Sequence, residues 1–263
     1  MSKKLPADIT SYDLLKTFAV ITMVIDHIGV YFFPDELWWR AVGRSCVPVW
    51  FFLIGYARTR DLSPLLIGGG LILLAGNFIA GMSVLPLNVL FTIMLIRLCI
   101  DSLMGLCLRR PVLIWSVSAI LFVLALPSYF LTEYGSQAII MAMFGYLVRR
   151  RDLPGFETLS LRYMIFALLS FTLLQRLAFA FNPAQFLSMF GFLFAVMLLL
   201  ISFRPRSFPR LTLVLTAPVG AFIRLCGRHT LEIYVLHLLL FKALAVYWGL
   251  ENYSLFQWHW FPV

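Results

Sequence analysis

The stretch DLLKTFAVITMVIDHIGVYFF, residues 13–33, decides the fold class, because it is apolar over a length that can cross a lipid bilayer. A bilayer core of about 30 Å requires roughly 20 apolar residues in a helix. The run is too long for the hydrophobic core of a signal peptide, and no small-residue cleavage site follows it. We therefore expect it to remain in the protein as the first transmembrane helix.

The whole chain has the composition of an integral membrane protein. Hydrophobic residues make up 62% of its 263 positions and charged residues only 13%, and the mean hydropathy is +0.92. These values predict an all-α, polytopic transmembrane helical bundle of about ten helices, within a range of roughly nine to eleven, that forms a single domain over residues 1–263. The predicted segments are 13–33, 41–57, 65–82, 86–108, 111–127, 132–148, 161–181, 184–203, 211–225 and 229–248.

The basic residues predict how these segments are oriented. With Lys3 and Lys4 on the cytoplasmic side, alternate connectors that carry arginine clusters also fall on that side, as positively charged connectors usually do. These clusters are Arg58 and Arg60, Arg109 and Arg110, Arg149 to Arg151, and Arg204, Arg206 and Arg210. The exception is the pair Arg224 and Arg228, which would lie outside, unless the short ninth segment is only half-inserted. The net charge of +9 therefore reflects topology, and no nucleic-acid partner is expected.

The four cysteines are scattered through apolar segments without any CxxC spacing. This distribution predicts buried free thiols, with neither a disulfide framework nor a metal site. The cysteines are Cys46, Cys99, Cys107 and Cys226. We therefore expect no metal among the groups that carry the function, and we look for that function among the ionisable side chains within the membrane.

Asp26 and His27 are the first ionisable candidates, because charged groups inside a membrane are costly and are usually functional or paired. Neighbouring residues on a helix point about 100° apart, so one of the two can face a cavity while the other holds an adjacent helix. A histidine can take a proton from an amine or hydroxyl, and a carboxylate, either Asp26 or Glu232, can fix its tautomer. The alternative is a purely structural hydrogen bond to a backbone carbonyl or another helix.

Two arginines within the segments are the next candidates. Arg44 could bind an acidic group, pair with Asp26, or extend to the lipid headgroups. Arg97 and Asp101 are four residues apart, which predicts a self-neutralising pair on one helix face. An arginine in the cytoplasmic half could also receive a phosphate of an anionic cofactor, so Arg97 remains a candidate binding residue.

Arg176 in the seventh segment, and Arg224 and Arg228 before the last segment, add positive charge on the predicted outer side, where His27 lies. Glu232 follows Arg228 by four residues, a spacing that allows an ion pair on a helix. His237 lies deeper in the same segment, and we expect it to be a buried packing and hydrogen-bonding residue. Together these residues predict a charged, outward-facing region around His27.

Two motifs near the start of the chain resemble the TraX family, conjugation-associated membrane proteins linked to N-terminal acetylation of pilin. They are LLKTFAVITMVIDHIG, residues 14–29, and RAVGRSCVPVWFFLIGYARTR, residues 40–60. The stretch CGRHTLEIYVLHLLLF, residues 226–241, is similar to the last helix of the wider acyltransferase-three group of transmembrane acyltransferases. Those proteins carry about ten helices and a histidine toward the end of the first helix, the position that His27 occupies here.

The resemblance implies an enzyme that transfers an acyl group, with acetyl-CoA as the donor substrate, to a protein or glycan acceptor at the outer face of the bacterial inner membrane. His27 would be the general base or a transiently acylated residue, assisted by Asp26. The expected CoA-binding residues are Arg44, Arg97, Arg58 and Arg176, and the expected acceptor-binding residues are Arg228, Glu232 and His237. The protein would contact membrane lipid, and a homo-oligomer is compatible with this reading.

The residues by themselves leave two other functions open. A small-solute or proton-coupled transporter could use Asp26, His27 and Glu232 as a proton relay. A non-catalytic membrane scaffold could keep the same fold and bind a partner instead. Transporters frequently contain inverted repeats or paired broken helices, and the sequence shows neither pattern, which favours the acyltransferase.

Overall fold

The computed structural model describes residues 7–261, and within that range the regular structure consists of thirteen α-helices and no strand. The helices are α1 (Ser11–Phe32), α2 (Trp38–Gly43), α3 (Cys46–Tyr56), α4 (Pro64–Ala80), α5 (Val89–Cys107), α6 (Pro111–Val123), α7 (Ala125–Tyr129), α8 (Gly135–Arg149), α9 (Phe156–Ala178), α10 (Pro183–Ile201), α11 (Pro209–Val214), α12 (Ala217–Arg228) and α13 (Thr230–Tyr247). The predicted all-α bundle is confirmed. Lys3 and Lys4, on which the cytoplasmic orientation rests, lie outside the described residues.

Each predicted segment corresponds to one helix, except for three segments that are divided in two. Segment 41–57 forms α2 and α3, segment 111–127 forms α6 and α7, and segment 211–225 forms α11 and α12. In each case a proline lies in the first turn of the second helix, at Pro48, Pro127 and Pro218. Proline is tolerated in a first turn but interrupts a continuous helix, because it lacks an N–H and clashes with the preceding turn.

Within residues 7–261, five helices have both the length and the apolar character that a membrane crossing requires, namely α1, α5, α9, α10 and α13. The apolar helices α4 and α6 are shorter than a typical span. By contrast, α8 is surrounded by other helices, and all but two of its fifteen residues are buried. Its Gly145 and Gly55 of α3 leave no room for a Cβ atom against the facing backbone. This close approach of small residues is typical of packing between membrane helices.

The helix ends meet at two faces of the bundle. The near face is the one where α1 begins, and Ser11 Oγ there donates to the Arg204 carbonyl oxygen at 2.9 Å. Arg60 pairs with Asp101, Arg149 donates to the Ala57 carbonyl, and Arg151 donates to the Ile201 carbonyl at the same face. The far face is the one where α1 ends, and residues 256–260 cover the end of α4 there. The predicted gathering of arginine clusters on one side is confirmed for these residues.

The ninth predicted segment does not cross the bundle. Helix α10 ends at the near face, where the Phe203 ring lies 5.1 Å from the Tyr12 ring. Helix α12 returns to that face, with Arg228 Nε 3.6 Å from Asp13 Oδ1 at the start of α1. The prediction that Arg224 and Arg228 lie on the outer side is therefore wrong. Because α11 and α12 together make no crossing, the expected exception to the charge asymmetry disappears.

Candidate active site

Two histidines from opposite ends of the chain meet inside the bundle. Helices α1 and α13 run in the same direction, and His27 Nδ1 lies 2.7 Å from His237 Nε2. The two rings stack with their centroids 5.0 Å apart. On its other side, His237 Nδ1 lies 2.7 Å from the carbonyl oxygen of Ile233, one turn earlier in α13. The two imidazoles and the carbonyl therefore form one continuous hydrogen-bonded chain.

This hydrogen-bonded chain fixes the tautomer of both rings. A carbonyl oxygen can only accept a hydrogen bond, so His237 Nδ1 must carry a proton. In neutral His237 the Nε2 atom is then an acceptor, and it receives the proton that His27 carries on Nδ1. His27 Nε2 is left as a lone pair with no hydrogen-bond partner within residues 7–261. The expected orienting carboxylate, Asp26 or Glu232, is thus replaced by His237.

Asp26 faces away from His27 and is bound by two arginines. Arg40 Nη1 lies 2.7 Å from Asp26 Oδ2, and Arg44 Nε lies 3.7 Å from Asp26 Oδ1. Arg44 also donates to the Tyr134 hydroxyl at 2.5 Å. Gly43 lies so close to the Asp26 backbone that a side chain would not fit between the helices. Asp26 therefore holds α2 against α1, as predicted, although Arg40 is a closer partner than the expected Arg44.

His27 and Asp26 line a polar cavity of about 200 Å³ on the far side of the bundle, the far cavity. Two opposite charges also line it, Glu133 and Lys242. Glu133, in the connector between α7 and α8, accepts a hydrogen bond from the Val89 N–H at 3.0 Å, and Lys242 donates to the Leu73 carbonyl at 3.2 Å. Burial raises the pKa of Glu133 to about 7. The far cavity thus combines a proton acceptor with groups that can bind a polar substrate.

A second cavity approaches His27 from the opposite side. The near cavity, of about 320 Å³, is mostly apolar and reaches from Tyr12 and Lys16 to Tyr234. A junction cavity of about 30 Å³ lies between the near and far cavities and is lined by His27. Tyr234 lines all three. His27 therefore occupies the point where cavities from the two faces of the bundle meet.

With this geometry in view, comparison with known proteins decides the family. A model of the TraX protein family matches residues 11–245. The chain belongs to the TraX family. It is also 32% identical over 151 residues to the uncharacterized protein RP591 of Rickettsia prowazekii (strain Madrid E), which covers 53% of this chain and 57% of that relative. The alignment thus spans little more than half of the relative's length. No solved structure matches the chain.

Family membership and the apolar helices together identify this TraX protein as an integral membrane protein. Its cysteines are free, and Cys46, Cys107 and Cys226 are buried. Of the predicted site residues, His27, Asp26, Arg44 and His237 come together in the far half of the bundle. The resemblance inferred from the two N-terminal motifs is therefore confirmed at the level of the family.

The predicted Arg97–Asp101 pair of this TraX protein is not formed. Asp101 instead receives two hydrogen bonds from Arg60, at 2.9 and 3.1 Å. Such a bidentate contact is stronger than a single i,i+4 contact. The connector after α3 places Arg60 close enough to Asp101 to form it. Arg97 Nη1 donates to the Asp61 carbonyl at 2.6 Å, and Arg97 lines the near cavity together with Lys16.

The remaining predicted residues of the TraX protein lie away from the far cavity. Arg58 is exposed at the near face, and Arg176 is exposed at the end of α9 and lines neither the near nor the far cavity. The predicted Arg228–Glu232 pair is wrong, because Arg228 turns to Asp13 while Glu232 Oε1 lies 3.3 Å from His229 Nδ1. Both residues lie at the near face, so the structure does not bring them to His27.

Four residues of the far cavity were missed from the sequence: Arg40, Glu133, Tyr134 and Lys242. Two signals could have revealed some of them. Lys242 interrupts the apolar run LHLLLFKALAVY, and Arg40 precedes Arg44 by four residues, which places both on one side of a helical turn. Glu133 and Tyr134 lie in a connector, where polar residues are common and do not indicate a site. Their role depends on how the connector folds back over α5.

Proposed function

We propose that this TraX family protein is a membrane acyltransferase. It moves an acyl group, acetyl in the simplest case, from acyl-CoA at the near face to an amine or hydroxyl presented at the far face. The near face would be cytoplasmic, and the membrane would be the bacterial inner membrane, consistent with the arginine-rich connectors. The observation that supports this proposal best is His27 itself, which lines the junction cavity and whose Nε2 has no partner among the described residues.

In this proposal His27 acts as a general base. Its Nε2 accepts the proton of the acceptor amine or hydroxyl while the nucleophile attacks the thioester carbonyl. The C–S bond breaks, a C–N or C–O bond forms, and His27 returns the proton to the departing thiolate, giving free CoA. His237 holds the imidazole in the required tautomer throughout. Direct transfer is favoured over an acyl-histidine, because one Nε2 lone pair suffices for both proton steps.

Arginines near Asp26 provide the electrostatic part of the mechanism. Arg40 and Arg44 bring two positive charges to a single carboxylate, and both guanidinium groups are largely buried. A preorganised positive charge in a site that excludes water stabilises a developing oxyanion. Arg44, which was predicted to bind CoA phosphates, is better placed for this role because it lies beside Asp26 and Tyr134.

The near cavity supports the donor site. Its apolar lining suits an extended acyl-pantetheine chain, while Lys16 and Arg97 give its outer end a positive charge for phosphates. The Nε atom of Arg97 is buried and has no hydrogen-bond partner within residues 7–261, so its N–H is available to donate to a phosphate oxygen. Arg58, exposed nearby at the same face, can add to this charge.

Replacing Arg97 with glutamine tests the donor site. We expect the KM for labelled acetyl-CoA to rise about tenfold with little change in kcat, because one charge-assisted contact to the donor is lost. The measurement is transfer of labelled acetyl groups by purified protein in lipid nanodiscs. Arg162→Gln, at an exposed arginine of α9, is the matched control and should retain the wild-type KM. An unchanged KM for Arg97→Gln, or no protein-dependent turnover of acetyl-CoA, would contradict the proposal.

Replacing His237 tests the hydrogen-bonded chain. His237→Leu removes the acceptor for the His27 Nδ1 proton, so we expect kcat to fall about 10- to 100-fold while the KM for acetyl-CoA stays within about twofold. His237→Gln keeps an acceptor oxygen at a similar distance and should recover much of the lost kcat. A general disturbance of the fold would change both kinetic constants and would not distinguish leucine from glutamine.

A further inference from the structure

A third large cavity lies beside the far cavity and has no role in the mechanism above. This lateral cavity, of about 620 Å³, is lined by α7, α8 and α9 and shares Arg40, Tyr129 and Tyr134 with the far cavity. Leu126 and Phe130 at its edge are 54% and 63% exposed, in the position of lipid-facing side chains. The lateral cavity therefore lies between the exposed side of the bundle and the far cavity that His27 lines, and the shared residues form the wall between the two cavities.

Two buried glutamines make the lateral cavity unlike an ordinary packing defect. Gln137 of α8 and Gln175 of α9 line it, and they are only 4% and 6% exposed. The Oε1 atom of each is buried without a hydrogen-bond partner within residues 7–261. Burying a carbonyl oxygen without a donor is unfavourable, and native proteins rarely leave such atoms unsatisfied. Two such oxygens at one cavity indicate a ligand that supplies O–H or N–H donors.

The charge around the cavity defines the ligand further. Arg40 and Arg44 stack on the Phe179 ring, with Cζ atoms 5.1 and 4.9 Å from its centroid. Asp26 balances only one of these two positive charges. A phosphate would balance the other, because a guanidinium group binds phosphate oxygens well. The remaining lining is mainly apolar and suits a hydrocarbon chain.

We infer that the lateral cavity is the entry site of the acceptor, and that the acceptor is a membrane lipid of the far leaflet whose phosphate carries a hydroxylated head group. This inference rests on the proposed acyltransferase function and specifies its acceptor. Gln137 and Gln175 bind hydroxyl groups of the head, Arg40 binds the phosphate, and one hydroxyl reaches His27. The acyl–sulfur bond of the donor breaks, an ester C–O bond forms, and the hydroxyl proton leaves on the CoA thiol.

Lipid-dependent thermal stability tests this assignment. The purified, delipidated protein is titrated with phosphatidylglycerol, which has a phosphate and a hydroxylated head, or with phosphatidylcholine of the same chains, which has no hydroxyl donor. We expect phosphatidylglycerol to bind about tenfold more tightly than phosphatidylcholine, and Gln137→Leu/Gln175→Leu to abolish this preference. Thr172→Val, at a buried threonine of α9 that bonds only within its helix, is the control and should keep the preference.

Folding is not expected to limit the test, because the variant removes two unsatisfied oxygens and loses only one long hydrogen bond, from Gln137 Nε2 to Ser170 Oγ at 3.4 Å, so the lipid-free melting temperature should change little. Equal affinities for the two lipids, or a double variant with the wild-type preference, would overturn the lateral site. Acetyl-CoA turnover that depends on His27 in the same preparations would then leave the acyltransferase proposal intact. Glutamine-dependent lipid binding without labelled acetyl on the lipid would show that the lipid is not the acceptor.

Discussion

The His27→Ala variant should lose acyl transfer by a factor of about 10²–10⁴, the range over which a positioned proton acceptor usually contributes to catalysis. The reason is the Nε2 lone pair of His27, which has no hydrogen-bond partner within residues 7–261 and belongs to a residue that lines the junction cavity. The variant should insert into membranes and retain its helical content. The measurement is the single-turnover rate of labelled acetyl transfer by protein in lipid nanodiscs.

His259→Ala is the matched control for this measurement, because His259 lies at the far face near the end of α4, away from His27. It should keep the wild-type rate. Wild-type transfer by His27→Ala would show that the catalytic base has been wrongly assigned. Solute uptake into liposomes that requires His27 but consumes no acyl-CoA would instead support a proton-coupled transporter.

Replacing Asp26 with alanine should destabilise the folded protein by about 3–5 kcal/mol, the usual result of removing one partner of a buried ion pair. Arg40 and Arg44 would then remain largely buried without their carboxylate, and α2 would lose its main polar attachment to α1. The measurement is the midpoint of denaturant-induced unfolding in detergent micelles, followed by circular dichroism.

Asp152→Ala provides the comparison for this unfolding experiment. Asp152 pairs with Arg204 at 3.0 Å, but both side chains are more than half exposed, so the change should cost at most about 1 kcal/mol. Similar stabilities for the two variants would mean that Asp26 is not a structural attachment. If Asp26→Asn is stable but inactive, the negative charge of Asp26 beside Arg44 would matter more for activity than for stability.

The sequence predicted the helices more completely than it predicted their crossings. Apolar runs identified all ten helical segments, since hydropathy is a local property of about 20 residues. The ninth run was too short to decide whether it crosses, and α12 returns to the face where α10 ended. The prolines that divide three segments were visible in the sequence, but proline also occurs within intact membrane helices, so it did not predict a break.

The sequence predicted those site residues that are ionisable side chains within an apolar run. It did not predict contacts between residues of distant helices. His27 and Asp26 were found because they lie in an apolar run. That His237 would be the partner of His27 depended on α13 packing beside α1, which no local spacing reveals. For Arg97 and Asp101 the local spacing predicted an ion pair that does not form. Asp101 pairs instead with Arg60, which lies in a connector.

The pairing of α1 with α13 links the proposed chemistry of the protein to its synthesis. His27 belongs to α1 and His237 belongs to α13, 210 residues later in the chain. A nascent chain that lacks α13 has no acceptor for the His27 Nδ1 proton, so the ring is free to adopt either tautomer. In the proposed mechanism, His27 therefore acquires its defined tautomer only after α13 has been synthesised and inserted beside α1.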